Sequence, residues 1–415
     1  MKNFYLPFFW VLSLIITIGY TYENPEKFDF IKYKFKKYSQ SEAKIEEGPN
    51  QIVKANSFSV EFSKEISLSD RTAFIVHEKN NSNFNINNLD IYTQKGFLIK
   101  SSKTNKLNLT KSFTTIENGG VKSIFIHNGN KFAFVSSKKE KCFYASIIFL
   151  NNAKEIFRTK CLPDKKINYN GLGSSHIHHK DSIFLSVGAP EVESHEIAKL
   201  AQDEDSFFGK IIEIKKNNLD EIISDTAVNI VPKIFTYGHR NPQGLTKING
   251  SIFSVEHGPK GGDELNKIIK NKNYGWPKVS YGAKYLHDIN NQTYKISHEA
   301  NQFEEPLFAL VPSVGISTVN NCPKILKQYY KKPCLIALSL YGNKLRPGRS
   351  MIIYLLNEKM NKVHSIEKIY LRDDLKLRHF VTSSKNELYE DINGNIYVSA
   401  DKKGIYKLSF IDFLN

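Results

Sequence analysis

The sequence predicts an all-β protein in which one hairpin unit recurs around a propeller or another radial repeat. Short β-branched and aromatic runs, such as 72–76 and 251–255, are bounded by Asn, Gly, Asp and Lys turns. An Asn-Gly turn directly before a strand, as at 249–250, is a strong hairpin signal. Only 193–202 and 323–330 have helical character. Recurrence of one unit along a long chain therefore favours radially arranged sheets.

The N-terminus predicts a membrane-targeting segment. Residues 4–22 carry no charge, and nineteen residues at about 1.5 Å each just cross a hydrocarbon core of about 30 Å. Small residues of the Ala-x-Ala type, which a cleavage site needs, are missing at 19–23. We therefore expect a signal anchor or signal peptide at 1–22, with an uncleaved anchor favoured. A charged juxtamembrane linker at 23–55 and a propeller at 56–415 follow.

The charge of the chain bears on its partners and its location. The formal net charge is +16, and lysines dispersed among Asn and Ile supply nearly all of the excess. Nucleic-acid binders cluster their basic residues and rely on Arg, so we expect no nucleic-acid partner. A solvated positive surface, or attraction to an anionic membrane, accounts for the charge. The predicted location is extracytoplasmic, either periplasmic or at the cell surface, with the membrane contacted through the N-terminal helix.

The four cysteines are consistent with export. Cys142 opens one apolar run and Cys161 closes the next, so a hairpin about the turn at 151–154 brings them together across the strands. Cys322 and Cys334 flank a short excursion. Two local disulfides, Cys142–Cys161 and Cys322–Cys334, are expected in an oxidising compartment. Four free buried thiols are the alternative.

The segment 237–245 has the composition of a ligand-binding loop. It reads Tyr-Gly-His-Arg-Asn-Pro-Gln-Gly-Leu, a density of Gly, Pro and polar residues that specifies the backbone closely. Arg240, Asn241 and Gln243 offer one planar cation and two amides. These groups suit a flat ligand that carries carboxylates and carbonyls. Structural turn residues are the alternative interpretation.

A second loop follows and offers oxygen ligands. Gly258-Pro259 exposes carbonyl oxygens with little side chain in the way, and Glu256, Asp263 and Glu264 place acidic groups nearby. Hard oxygen donors at such a bend suit Ca²⁺. The sequence therefore predicts a calcium site whose protein ligands are the backbone carbonyls of Gly258 and Pro259.

Taken together, these motifs resemble a known family. Gly-His-Arg-Asn-Pro-Gln-Gly-Leu, then Glu-His-Gly-Pro-x-Gly-Gly-Asp-Glu-Leu-Asn and Asn-Tyr-Gly-Trp-Pro, are similar to the soluble PQQ-dependent aldose and glucose dehydrogenases, the glucose/sorbosone dehydrogenase family. The resemblance is dense from about 165 to 320 and thin elsewhere. It implies a six-bladed β-propeller with pyrroloquinoline quinone (PQQ) on its axis, held by Ca²⁺. It also implies oxidation of an aldose at C1, with hydride transfer to the quinone.

The resemblance assigns site residues position by position. Arg240, Asn241 and Gln243 correspond to quinone-site residues, and Arg240 is the residue assigned to catalysis. Gly258 and Pro259 correspond to the calcium ligands. One further residue, Tyr274, lies in a segment that lines the cofactor site in the family.

The catalytic base of the family does not appear in this sequence. The family carries a His before a Gly-rich turn, and the alignment places Gly171 at that position and Ser175 at the following Arg. His176, His178 and His179 lie a few residues on, and one of them substitutes only if the register of the strand shifts. The alternative is a solvent-facing pair, His176 and His178, on one face of the strand.

PQQ carries three carboxylates, and these require cations. The family positions that supply such cations are occupied by uncharged residues in this sequence. The Lys position of the family falls at Leu340, and its pair of Arg residues falls at Ser384 and Asn386. Lys344, Arg346 and Arg349 are near in sequence only. The prediction is therefore a family member with a degenerate active site.

Two functions remain open from the sequence. One is a PQQ-dependent sugar dehydrogenase with a relocated base and cation set. The other is a non-catalytic propeller that binds a glycan or a partner protein, since one fold serves both uses. The expected partner is a small sugar or a glycan in either case.

Overall fold

The computed structural model describes most of the chain beyond residue 42. The described residues are 43–45, 48–78, 82–163, 166–191, 194–284, 294–341 and 349–414. The predicted membrane segment 1–22 and most of the predicted linker lie outside them. Among the described residues, no helix combines the length and the hydropathy needed to cross a bilayer.

The described strands form six antiparallel sheets, which confirms the predicted six-bladed propeller. Five sheets, blades 1 to 5, each contain four strands that are consecutive along the chain. Blade 1 contains β4 (Thr72–His77), β5 (Leu89–Thr93), β6 (Phe97–Lys100) and β7 (Lys103–Lys106). Blade 2 contains β8 (Val121–His127), β9 (Asn130–Lys139), β10 (Cys142–Phe149) and β11 (Lys154–Arg158). Blade 3 contains β12 (His176–His179), β13 (Ser182–Val187), β14 (Lys210–Lys215) and β15 (Lys233–Tyr237). Blade 4 contains β16 (Pro242–Ile248), β17 (Ser251–Glu256), β18 (Asp263–Ile268) and β19 (Phe308–Leu310). Blade 5 contains β20 (Ile316–Asn321), β21 (Cys334–Ser339), β22 (Ser350–Leu356) and β23 (Val363–Tyr370).

Blade 6 joins the two ends of the described chain. It contains β24 (Leu377–Phe380), β25 (Ile396–Ala400), β26 (Gly404–Ile411) and β3 (Ser59–Leu68). The outer edge of β3 is covered by β1 (Ala43–Ile45) and β2 (Gln51–Lys54). The last sheet therefore begins inside the segment that the sequence assigns to a linker.

Gly404 makes the closure of blade 6 possible. Its φ is +144°, and a Cβ at this position would lie 1.7 Å from the carbonyl oxygen of Ile66 on β3. Only glycine therefore allows β26 to lie against β3 at this point.

Buried apolar side chains lie between neighbouring sheets. Between blades 2 and 3, for example, Phe125, Phe132 and Phe134 pack in one cluster with Ile183 and Leu185, all fully buried. The alternating apolar residues that predicted the strands are these core residues, because successive strand residues face opposite sides of a sheet. Burial of each such side chain stabilises the fold by about 1.5–3 kcal/mol.

The first strand of each blade is innermost and borders the axis. β24 contacts β4, β4 contacts β8, β12 contacts β16, and β16 and β24 both contact β20. We call the end of the axis at which these strands begin the near end, and the other the far end. At the far end, the loop 383–388 reaches into the axis. Asn386 Nδ2 donates to His176 O (2.6 Å), and Asn320 Nδ2 donates to Asn386 O (3.0 Å).

The helices are short and connect strands. They are α1 (His195–Lys199), α2 (Lys216–Ile223) and α3 (Lys324–Tyr330). The predicted helical segments 193–202 and 323–330 contain α1 and α3, whereas α2 was not foreseen. Single 3₁₀ turns lie at Ile86–Asn88, Tyr169–Gly171 and Glu299–Asn301.

Both predicted disulfides are formed. Cys142–Cys161 ties the start of β10 to the segment after β11, and Cys322–Cys334 ties β20 to β21 around α3. The alternative of four free thiols is wrong.

Candidate active site

Arg240 is held firmly in the loop between β15 and β16. Its Nη2 lies 2.9 Å from a carboxylate oxygen of Glu191, and its Nη1 donates to the carbonyl oxygen of Gly258 at 2.9 Å. The guanidinium carbon lies 5.3 Å from the ring centre of Trp276. Its Nε is buried and has no hydrogen-bond partner among the described residues. The Arg240 side chain is thus held by the Glu191 carboxylate, the Gly258 carbonyl and the Trp276 ring. Its Nε–H remains as a buried donor that these contacts do not use.

A small cavity, here the loop cavity, brings the predicted residues of the two loops together. Arg240, Gly258, Pro259 and Tyr274 all line it. The phenol of Tyr274 donates to Lys267 O at 2.6 Å, so this hydroxyl is engaged in the fold. The remaining lining residues include Glu256, His257, Glu264, Trp276 and His298.

Two buried carboxyl groups form the floor of the loop cavity. Glu256 and Glu264 are hydrogen-bonded to each other, and burial raises the pKa of both. His239 Nδ1 lies 3.2 Å from Glu256 Oε2, and His298 Nε2 lies 3.5 Å from Glu264 Oε1. Two carboxylates this close cannot both be ionised in a buried site. The pair therefore retains a proton at neutral pH.

The loop that contains the predicted calcium ligands, Gly258 and Pro259, forms hydrogen bonds within the protein. The carbonyl of Gly258 accepts the Arg240 guanidinium. Asp263, an acidic residue of the same loop, accepts the backbone N–H groups of Gly258, Val314 and Ile316 at 3.0–3.2 Å. Within the described residues, no group of three or more His, Cys, Asp or Glu side chains is placed to hold a metal. Calcium at Gly258 and Pro259 stays a prediction.

Asn241 and Gln243 link the loop cavity to the axis. Asn241 Oδ1 accepts Gly173 N at 3.2 Å and Gln243 Nε2 at 2.6 Å, while Asn241 Nδ2 lies 3.2 Å from His257 Nδ1. Gln243 lies at the start of β16 and lines a second pocket at the near end of the axis. The predicted cofactor residues thus occupy one end of the propeller.

This second pocket, here the axial pocket, contains cations that the sequence did not identify. Arg71 comes from the start of blade 1, Lys122 from blade 2, and Arg378 and His379 from blade 6. The other lining residues are Thr72, Ala73, Gln94, Val121, Asn170, Gly173, Ser174 and Gln243. The signal available in the sequence was weak: two of the few arginines of the chain stand at the starts of inner strands.

One carboxylate pairs with the two arginines of this cluster. Asp401 forms a bidentate pair with Arg378, in which Nη2 lies 2.6 Å from Oδ2, and it lies 3.4 Å from Arg71 Nε. Burial opposes ionisation, but the hydrogen bonds and charge of Arg378 lower the pKa of Asp401. Lys122 is 7% exposed, and its Nζ donates to Asn118 O at 2.9 Å. The axial pocket therefore has an excess of positive groups and suits an anion.

The expectation that the Arg pair falls at Ser384 and Asn386 is wrong. Asn386 belongs to the loop 383–388 at the far end of the axis, whereas Arg378 lies in the axial pocket at the near end. Counting back from the last turn therefore leads to a position in this loop and not to a position on β24. Leu340 is buried and places no charge in the site. Lys344 and Arg346 lie outside the described residues.

A side chain at Gly171 would be crowded by the backbone of its neighbours. This glycine ends a 3₁₀ turn, where a Cβ would lie 3.2 Å from Pro190 Cα and 3.3 Å from Ala189 O. His176 lies below the axial pocket, with Nδ1 2.9 Å from Ser123 Oγ and its ring against Phe74. It is almost completely buried, and burial lowers its pKa.

His178 lies on the same strand face, with its ring centre 6.0 Å from that of His176. It is also buried. The expectation of a solvent-facing pair is therefore wrong, although the shared face is confirmed.

His379 is an imidazole that borders the axial pocket. Burial, followed by the charge of Arg378, lowers the pKa of His379 to about 3, so its ring is neutral at physiological pH. The ring hydrogen-bonds to the backbone of Thr72. A neutral imidazole therefore stands beside the cation cluster.

The described residues thus define a six-bladed propeller with a pocket lined by cations at one end of its axis. A sequence model of the Glucose / Sorbosone dehydrogenase family matches residues 140–401. The chain belongs to this family, and the resemblance seen in the motifs is confirmed.

Curated relatives match over a limited stretch. Quinoprotein glucose dehydrogenase B of Acinetobacter calcoaceticus is 35% identical over 122 residues, which cover 28% of this chain and 24% of that protein. An aldose sugar dehydrogenase of Escherichia coli K12 is 34% identical over 127 residues, 28% of this chain and 32% of that protein. An uncharacterised Synechocystis protein is 41% identical over 119 residues, which cover 26% of this chain and 28% of that protein. The alignments thus span a third or less of these relatives.

Solved structures match over the whole propeller. The apo soluble aldose sugar dehydrogenase of Escherichia coli has a TM-score of 0.61 at 20% identity, covering 87% of this chain and 99% of that one. The PQQ-bound aldose sugar dehydrogenase of Streptomyces coelicolor has a TM-score of 0.50 at 14% identity, with 90% and 99% coverage. At these identities the structures establish the fold alone.

Proposed function

We propose that the chain is a PQQ-dependent sugar dehydrogenase that oxidises an aldose at C1. The observation that carries this proposal is the cluster of Arg71, Lys122 and Arg378 at the near end of the axis, in which one carboxylate, Asp401, pairs with the two arginines. A tricarboxylate buried in a propeller needs compensating cations of this kind. Family membership supports the same assignment.

The residues around the two pockets fit a flat polyanion. Arg71, Lys122 and Arg378 bind its carboxylates, while the Asn241 and Gln243 amides fix its orientation. When bound, PQQ supplies the two-electron acceptor for the hydride that leaves C1 of the sugar. The buried Nε of Arg240 is the remaining donor toward negative charge at the cofactor.

The proton of the sugar C1 hydroxyl needs an acceptor, and His379 is proposed for this role. Its imidazole is neutral and borders the axial pocket. Bound carboxylates offset the charge of Arg378, and this raises the pKa of His379 from its depressed value. Loss of the hydride and this proton converts the aldose to its lactone, so electrons and protons balance.

The alternative is a non-catalytic propeller that only binds a glycan or a partner protein. This alternative requires neither the axial cations nor an imidazole.

The test is reconstitution of the full chain in mild detergent with PQQ and Ca²⁺. We expect quinone absorbance to co-elute with the protein on gel filtration and dye to be reduced when an aldose is added. Protein that elutes without quinone absorbance would exclude PQQ as the cofactor.

A matched pair of variants sharpens this test. Arg378→Met removes an axial cation, whereas Arg372→Met removes an exposed arginine that has its own bidentate partner, Asp374. We expect the first to lose retained quinone and the second to keep it. Equal retention in both would mean that the axial pocket is not the quinone site.

We also propose an extracytoplasmic location with membrane anchoring by residues 4–22. The two disulfides support this location, because such bonds persist in oxidising compartments. Alkylation of thiols in freshly lysed cells should find all four cysteines protected. Free thiols in the folded protein would contradict export.

A further inference from the structure

Lys122 is placed so that its charge depends on what the axial pocket holds. It is 7% exposed, lies with Arg71 and Arg378 around one pocket, and within the described part of the chain makes one hydrogen bond, to Asn118 O. A protonated ammonium has three donors, so two remain for a ligand. The carboxylate of Asp401 is already engaged by both guanidinium groups.

We propose that a carboxylate-bearing ligand enters the axial pocket together with a proton, which Lys122 takes up. In the free protein, two fixed cations and burial disfavour a third charge. Burial first, then Arg378 and Arg71, lower the pKa of Lys122 to about 7. Ligand carboxylates reverse this balance, because an opposite charge at 4–6 Å favours the charged amine. The inference rests on the proposed function only in placing the carboxylates of PQQ there.

The groups that face Lys122 come from several elements. Arg71 precedes β4, and Arg378 and His379 belong to β24. Asp401, which follows β25, pairs with both arginines. From blades 3 and 4 the neighbours are Asn170 and Gln243, which do not titrate. On its own side, Glu117 beside Asn118 is exposed. In the free protein, His379 is neutral and Asp401 is ionised between pH 6 and 9, and arginine side chains as a class keep their charge in proteins. Lys122 is therefore the group in this set that titrates in that interval.

The linkage has a definite sign. A ligand that binds the protonated form must supply the proton when the free amine is neutral. Its affinity therefore falls as the pH rises above about 7, by up to about tenfold per pH unit for one proton. Below pH 6 the amine is already charged, and the affinity becomes independent of pH.

The test is titration calorimetry of the full chain at pH 8 in two buffers with different ionisation enthalpies. The probes are PQQ and benzene-1,3,5-tricarboxylate, an aromatic tricarboxylate without quinone chemistry. We expect uptake of close to one proton per site in the wild type. Lys122→Arg, which is permanently charged, should bind without uptake, and Lys122→Met should bind at least tenfold more weakly. Lys139→Arg, an exposed lysine on β9, is the control and should match the wild type.

The outcomes separate this inference from the proposed function. Tricarboxylate binding with proton uptake, without PQQ binding, supports the inference and excludes the cofactor. PQQ binding without proton uptake supports the proposed cofactor and overturns the inference about Lys122. Uptake that persists in Lys122→Arg, or absence of binding by both probes, overturns the inference. If Lys122→Arg does not fold, a wild-type affinity for either probe that stays constant from pH 6.5 to 9 overturns it.

Discussion

Asp401 gives the most direct test of the charge balance in the axial pocket. It is 5% exposed at its side chain and is the carboxylate that pairs with both Arg378 and Arg71. Asp401→Asn keeps the shape but removes the charge, which leaves buried cations unpaired. Breaking a buried pair by removing one partner costs about 3–5 kcal/mol. Because Asn retains one acceptor oxygen, we expect about 3 kcal/mol in the free energy of unfolding.

Asp374 is a matched control. It also forms a bidentate pair with an arginine, Arg372, but the two side chains are 41% and 38% exposed. Exposed pairs contribute at most about 1 kcal/mol, so Asp374→Asn should change the free energy of unfolding by less than that. Urea denaturation at pH 7 measures both variants. Equal effects in the two variants, or no effect of Asp401→Asn, would refute the reasoning.

The same substitution should act in opposite directions on stability and on ligand binding. Loss of the Asp401 charge makes the axial pocket more positive, so benzene-1,3,5-tricarboxylate should bind Asp401→Asn more tightly than the wild type. At 100 times its Kd, a ligand stabilises the folded state by about 2.7 kcal/mol, which restores most of the loss. The stability difference should also vanish as the pH falls through the lowered pKa of Asp401.

Three further variants test the fold and the loop cavity. Cys142→Ser with Cys161→Ser opens a disulfide with a sequence separation of 19 and should cost about 3 kcal/mol by urea denaturation; an unchanged midpoint would contradict this. Gly404→Ala should lower the melting temperature markedly, because its Cβ meets the Ile66 carbonyl; a wild-type melting curve would mean that β26 can shift. Glu256→Gln should flatten the loss of stability with rising pH. Burial raises the pKa of the Glu256 carboxyl in the folded protein. Above about pH 5 this carboxyl ionises in the unfolded chain while it stays protonated in the folded protein, so the folded state loses stability as the pH rises. Parallel pH profiles of urea midpoints for variant and wild type would contradict it.

Local sequence features predicted most of the fold. Strand composition and Asn-Gly turns predicted the hairpins, and the spacing of Cys142 and Cys161 about one turn predicted their disulfide. The loop around Arg240 could be predicted because several of its residues are consecutive and act together. Each of these inferences depends on residues that are neighbours in the chain.

The cation cluster could not be predicted in this way. Arg71, Lys122 and Arg378 are single residues on three different blades, and each reads as an ordinary charged residue at the start of a strand. Their convergence depends on the ring closing and on which side chains face the axis. The misplacement of the Arg pair at Asn386 has the same origin, because the sequence does not reveal that the loop 383–388 reaches into the far end.

The join between β3 and β26 also bears on how the ring comes into existence. β3 is made early, yet its pairing partner is made more than three hundred residues later. An unpaired strand edge invites association with other chains during that interval. β1 and β2, which directly precede β3 in the chain, can cover its other edge as soon as β3 emerges. The nascent protein therefore exposes one such edge instead of two while the five intervening blades are synthesised.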